Sequence, residues 1–216
     1  MPFSRLHSTL LASALAFAGA AHATTTTLIS EGFDSVATLA SQGWVLTNNS
    51  TAGGSTGWFQ GEDFIFPSQD GAGGGYAAAN FNNAAAGGTI DNWLISPEFS
   101  TANSIFISIW LRGAADDGFT DTVKFGFSNG DSATSAFVTG ELVTATGDWT
   151  QYTFGHSPGG AGSTARFAIE YTGLADAADY VGVDTLSISA VVPEPATWAL
   201  FALGLAGIVA RRRSAR

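Results

Sequence analysis

Between Leu28 and Ser189 the chain is a succession of short apolar runs separated by Gly, Asn, Asp and Ser. The clearest run is Thr122 to Ser128, where Val123, Phe125 and Phe127 alternate with Thr122, Lys124, Gly126 and Ser128. Successive side chains of a strand point to opposite faces, so this spacing predicts a strand with one buried and one wet face. Asn129 and Gly130 follow it as a hairpin signal, because both tolerate positive φ. Ile105, Ile107, Ile109 and Leu111 share one parity while Phe106 and Trp110 take the other, which predicts a central strand covered on both sides. Phe167, Ile169 and Tyr171 again alternate with Arg166 and Glu170.

Further strands are expected at 28–30, 43–46, 57–60, 76–81, 92–96, 137–143 and 150–155, with a last one at 180–189. In that last run Val181 and Val183 have one parity and Leu186 and Ile188 the other. Either a bulge near Asp184 and Thr185 shifts the register, or the strand is buried on both faces. No amphipathic helix is evident between the two ends of the chain, although 36–42 has room for one short turn. Many short strands with turn residues between them predict an all-β sandwich or barrel. The glycine groups at 53–54, 71–75 and 87–88 read as surface loops, since none lies in the strand-to-helix setting of a phosphate cradle.

The two ends depart from this pattern. Residues 1–23 have Arg5 in a short polar start, an apolar run through Leu10, Leu11, Leu15 and Phe17, and Ala21, His22 and Ala23 as a small-x-small cleavage site. This is the layout of a signal peptide, and the mature chain is expected to begin at Thr24. At the other end, Pro193, Glu194 and Pro195 precede an apolar run from Ala196 to Ala210 and then Arg211, Arg212, Arg213 and Arg216. As a helix the run would span about 22 Å, short of the ~30 Å hydrocarbon core of a bilayer. A short transmembrane helix is expected, with the arginines on the cytoplasmic side and 24–192 outside the inner membrane. The prolines exclude helix before Ala196 and keep the junction extended. Three parts follow: a signal peptide at 1–23, a β domain at 24–192 and a tail at 193–216.

Formal charge is −10 for the whole chain, with eight basic and eighteen acidic residues. Five of the basic residues and one acidic residue lie in the terminal segments, which leaves three and seventeen, net −14, across 24–192. Such a surface repels nucleic acid and anionic lipid and attracts divalent cations. The chain has no cysteine, which excludes disulfides, thiolate metal sites and cysteine nucleophiles. His156 is the one histidine expected in the mature domain, and it sits in a turn-like Gly and Ser setting. With no Gly-x-Ser-x-Gly elbow either, the chain is read as not an enzyme, although seventeen acids leave a glycosidase pair open.

At the tail a resemblance becomes specific. Pro193, Glu194 and Pro195, the short span and the cluster of Arg211, Arg212 and Arg213 resemble the PEP-CTERM sorting signal of Gram-negative bacteria. The resemblance implies recognition by an exosortase, a transpeptidase-like membrane protease that cleaves near the motif. The membrane would then be met only transiently, before the envelope surface or extracellular matrix.

The domain itself resembles the choice-of-anchor J family, related to cleaved adhesin and MAM-like domains. The matching blocks are Glu31 to Asp34, Gly43 with Trp44, Gly57 to Gly61, Ile90 to Phe99, Trp149 to Tyr152 and Tyr180 to Leu186. The family implies a jelly-roll-type β-sandwich on a surface protein, with adhesion or an exopolysaccharide-associated role. One departure is Glu170, where a second arginine would be expected; the 121–124 segment is also less basic than usual.

In a jelly roll the first and last strands can lie side by side, which would bring Glu31, Asp34 and Asp184 together. Related sandwiches place calcium at such an edge, and three carboxylates with backbone carbonyls would meet its six to eight oxygens. The same three residues also read as solvated acids of an acidic protein. Asp116 to Asp121 lacks the alternating acids of an EF-hand, and Asp176 and Asp179 read as turn residues. Trp58 and Gln60 are a candidate ligand patch, since an exposed indole stacks on sugar rings; the alternative is that Trp58 is core. A carbohydrate-binding module and a secreted hydrolase are the alternatives to a structural or adhesive role.

Overall fold

The apolar runs pair into antiparallel ladders. The computed structural model describes residues 24–114 and 116–192, together with Gly204, Gly207 and Arg211. The strands are β1 (Thr24–Glu31), β2 (Val45–Asn48), β3 (Thr51–Gly53), β4 (Phe59–Gln60), β5 (Ala77–Asn80), β6 (Ala84–Ile95) and β7 (Phe99–Ser100). They continue as β8 (Ser104–Gly113), β9 (Thr122–Ser128), β10 (Val138–Thr139), β11 (Val143–Thr144), β12 (Thr150–His156), β13 (Thr164–Leu174) and β14 (Tyr180–Val192). One sheet has the order β12-β8-β14-β5-β4, with β1 also on β14. The other runs β10-β9-β13-β6-β2, with β11 on β9, β3 on β6 and β7 on β13. From β5 to β14 the long strands alternate between the two sheets, which gives the expected β-sandwich of jelly-roll type.

The inner faces form one core. Ile105, Ile107, Ile109 and Leu111 of β8 and Val181, Val183, Leu186 and Ile188 of β14 meet Ile90 and Leu94 of β6, Val123 and Phe125 of β9, and Phe167, Ile169 and Tyr171 of β13. Each fully buried Ile or Leu stabilises the fold by roughly 1.5–3 kcal/mol, so the parity of these runs sets which face of each strand is inward.

The last strand resolves its mismatched parity with a bulge. Its ladder with β8 shifts register between Asp184 and Ser187, and Thr185 takes a left-handed φ of 48°. All four apolar residues then reach the same core. The short turn forms as expected, a 3-10 helix from Val36 to Gln42 closed by Gly43 at φ 90°.

Three expectations need correction. The outer side of β8 is not covered, since Phe106 is 49% exposed and Trp110 is half-buried; the aromatic residues of that parity cover the sheet without being covered. The outer side of β9 is not wet, because Thr122, Gly126 and Ser128 are buried. Asn129 and Gly130 do not make a two-residue hairpin: β9 next pairs at Val138, beyond a loop that contains a 3-10 turn at Thr134–Ala136.

The expected signal peptide at 1–23 and the tail residues Pro193, Glu194, Pro195, Arg212 and Arg213 lie outside the described residues, as does the expected transmembrane helix as a whole. Gly204, Gly207 and Arg211 are helical. No helix among the described residues is long and apolar enough to cross a membrane.

Candidate functional site

The predicted carboxylates divide into two groups. Glu31 and Asp34 line a pocket of about 170 Å³ together with Asp70, Gly71 and Thr185. Glu31 Oε1 accepts a hydrogen bond from the Phe33 backbone N–H at 2.8 Å. Asp34 lies against Gly71 and Gly75, where an added Cβ would come within 3.1 and 2.6 Å of its Oδ1.

Asp184 is fully buried and does not line that pocket. Its Oδ2 accepts from the backbone N–H groups of Gln69 (2.8 Å) and Asp70 (3.2 Å), and its Oδ1 from the N–H of Thr185 (2.6 Å). Burial raises its pKa, and these backbone donors oppose the rise. Asp184 therefore ties the 69–70 loop to the bulge of β14, and its oxygens are committed to that task. No group of three or more His, Asp or Glu side chains among the described residues is placed to hold a metal. Glu31, Asp34 and Asp184 do not converge into the expected calcium cage.

Trp58 and Gln60 do not form an exposed patch. Trp58 is 7% exposed and packs in the main core. The Gln60 amide is spent on the backbone: Oε1 accepts from Val36 N–H at 2.9 Å, and Nε2 donates to Phe33 O at 3.0 Å and Gly74 O at 2.6 Å. Gln60 fastens the 3-10 turn and the 74–76 segment to the edge of the sheet.

A larger opening lies elsewhere, as a groove of about 600 Å³ between Phe81, Phe119 and the turn before β14. Phe81 and Phe119 are 44% and 46% exposed. Small residues, Gly53, Gly54 and Ala84 to Ala86, form part of its wall, with Asp176 and Asp179 among its acids. Gly54 is required there, since a Cβ would stand 1.9 Å from the Asn82 carbonyl oxygen. Asp176 accepts from Gly87 N–H at 2.9 Å.

Behind the groove, buried Asp121 accepts from the Tyr171 hydroxyl (2.5 Å) and from the N–H groups of Asp179 (2.9 Å) and Tyr180 (3.2 Å). That carboxylate fixes where the turn carries Asp179. Burial pushes the Asp179 carboxyl up to about 6, and its hydrogen bond with Asp116 and the Asp121 charge add to the shift.

Sequence reasoning missed this groove because its walls come from four separate segments. Asp176 and Asp179 carry ordinary turn chemistry, and Phe81 reads as the end of a strand. The available signal was Phe119, a large aromatic between Gly118 and Thr120 in a polar loop.

Residues 191–213 match the PEP-CTERM protein-sorting motif. No curated sequence matches the chain. Among solved structures, the K1 cleaved adhesin domain of Lys-gingipain from Porphyromonas gingivalis W83 superposes with a TM-score of 0.57 at 19% identity, over 77% of this chain and 98% of that domain. The K3 cleaved adhesin domain of the same protein gives 0.56 at 16% identity, over 77% and 99%. At these identities the likeness is one of fold. The chain carries the PEP-CTERM protein-sorting motif after a β-sandwich with the fold of the cleaved adhesin domains, and the motif supports an exported surface protein.

Proposed function

We propose that the protein is a non-catalytic surface or matrix adhesin that holds glycan, such as exopolysaccharide, in the groove between Phe81 and Phe119. The observation that carries this reading is the pair of half-exposed rings on a 600 Å³ groove beside Asp176 and Asp179. Aromatic faces stack on the apolar faces of sugar rings, and carboxylates accept hydrogen bonds from their hydroxyls. Binding of soluble polysaccharides, followed by calorimetry, tests it: Phe119→Ala should abolish the heat of binding while leaving the melting temperature within a few degrees. Unchanged binding by that variant removes the groove from the reading.

The sorting step is part of the same proposal. An exosortase would recognise Pro193, Glu194 and Pro195 with Arg211, Arg212 and Arg213, and the mature protein would leave the membrane. An intact C-terminus on the mature protein in the inner-membrane fraction overturns this. Structural calcium at Glu31 and Asp34 rests on the sequence alone, since Asp184 is committed to backbone. Calcium titration against a chelated control tests it, and absence of both heat and a rise in melting temperature discards it.

A secreted hydrolase is the second reading, favoured by one observation: burial and the neighbouring Asp116 push the Asp179 carboxyl up to about 6, the direction a general acid needs. Turnover of polysaccharides that disappears in Asp179→Asn would establish it in place of the first.

A further inference from the structure

We propose that a second pocket, which shares Gly53, Gly54 and Ser55 with the groove, binds one neutral hydroxyl-bearing ring, a single sugar unit. The pocket has a volume of about 410 Å³, and Thr47, Asn48, Thr56, Trp58 and Asn92 are among its walls. Two of these side chains carry buried polar atoms with no partner: the indole N–H of Trp58 and the amide oxygen of Asn92. Trp58 is 7% and Asn92 1% exposed.

The other side-chain amide groups beside these two atoms have partners. Asn92 Nδ2 donates to Asn83 Oδ1 at 2.8 Å. Asn83 Nδ2 in turn donates to Thr56 Oγ1 at 2.8 Å and Gly57 O at 3.0 Å. Asn48 Nδ2 donates to Thr56 O at 2.9 Å and Asn83 O at 2.8 Å. What is left over is one donor and one acceptor on two side chains that line one pocket, both lying beneath its surface. Each such group costs about 1–3 kcal/mol when buried without a partner.

Sugar hydroxyls can meet both needs, because a hydroxyl oxygen accepts from an indole N–H and a hydroxyl hydrogen goes to an amide oxygen. One water would do the same, but water occupies only about 30 Å³ of liquid, and 410 Å³ lies in the roughly 300–1,000 Å³ range of ligand sites. No charged side chain lines the pocket, so it offers nothing to an ionic ligand.

Both orphan atoms are sealed from solvent, so the ligand enters as the 53–57 segment moves outward. That segment is exposed over 53–55 and is tied down by backbone bonds from Gly54, Ser55 and Thr56 to the Asn82 and Asn83 carbonyls at 2.9–3.2 Å.

This inference takes its ligand class from the glycan reading of the surface and rests on different residues. The experiment uses the full chain, labelled with ¹⁵N, in a detergent without a sugar head group. The Trp58 indole resonance is assigned by its loss in Trp58→Phe, and a panel of neutral methyl glycosides is titrated in. We expect at least one glycoside to shift that resonance saturably, and Trp58→Phe to weaken its binding at least tenfold.

Phe119→Ala should leave this shift intact while losing polysaccharide, which separates failure of the groove from failure of the pocket. Where Trp58→Phe does not fold, Thr47→Phe fills the pocket from β2, and the most affected indole resonance of the wild-type chain must lose its response. A Trp58 resonance that shows exchange with water and no response to any glycoside overturns the proposal and leaves an ordered-water site.

Discussion

Asp184 accepts a 2.6 Å hydrogen bond from the backbone N–H of Thr185, its own neighbour, and Thr185 is held at φ 48° to allow it. A β-branched residue in the left-handed region is strained. Here the strain is held by Asp184 and by the bond from Thr185 Oγ1 to Gln69 Oε1 at 2.7 Å. Replacing Asp184 by Ala leaves the N–H groups of Gln69, Asp70 and Thr185 short of a charged acceptor. A loss of about 3 kcal/mol is expected in urea denaturation. Because the role is structural, the loss should be the same with and without a chelator.

The Asp179 carboxyl is raised from 3.8 to about 6 in the folded chain. A carboxyl raised in this way favours folding while it is protonated. Its contribution is complete below about pH 4 and is lost as pH climbs through about 6. Melting temperature should therefore fall across that window, and Asp179→Asn should flatten the fall. Equal slopes in the two proteins would assign the pH dependence to other groups.

Lys124 and Glu170 face each other across β9 and β13 and pair at 3.4 Å. Glu170 is the more buried of the two, so taking away its partner costs more than the pair contributes. Lys124→Met should destabilise by about 2 kcal/mol, and adding Glu170→Gln should recover most of that. A denaturation double-mutant cycle measures both. The acid at 170 is thus met by a cation from the neighbouring strand.

Gly182 lies under an aromatic cluster. A Cβ there would come within 2.8 Å of Tyr76 and 2.9 Å of Phe66, and on the other side Gly61 approaches the same Tyr76 ring. Tyr76 is further held by its hydroxyl, 3.1 Å from that of Tyr180. Gly182→Ala should cost about 1–3 kcal/mol through overpacking. Glycan binding in the groove should survive it, which distinguishes a packing defect from a binding one.

Most strands were legible because one inward face imposes period two, and β9 falls at Thr122–Ser128 as its spacing predicts. The bulge at Asp184 was legible for the same reason, as four apolar residues in two parities had to share a core. The first half of β6 was not, because Ala84 to Gly88 carries small residues and Gly87 takes a φ of 74°; its ladder with β3 is irregular there. The candidate site was read less well than the fold. That Glu31 and Asp34 share a pocket with Thr185 of the β14 bulge followed from strand order, but whether a carboxylate faces solvent or a loop's N–H groups depends on the 61–75 loop, which has no periodicity. Trp58 was expected to offer an exposed ring, and its ring is core instead, because the sequence around it does not show which face of the short strand β4 is covered.

The strand that leads into the sorting motif is an interior one. β14 has β8 along one side and both β5 and β1 along the other, and Val191, its penultimate residue, is still paired with Ser104. Ladder hydrogen bonds run perpendicular to their strands, so tension applied at Val192 along β14 shears two ladders together and does not unzip one edge bond by bond. Tension that entered from the tail would thus fall on the strand least able to peel away, and the sandwich would resist it through its centre.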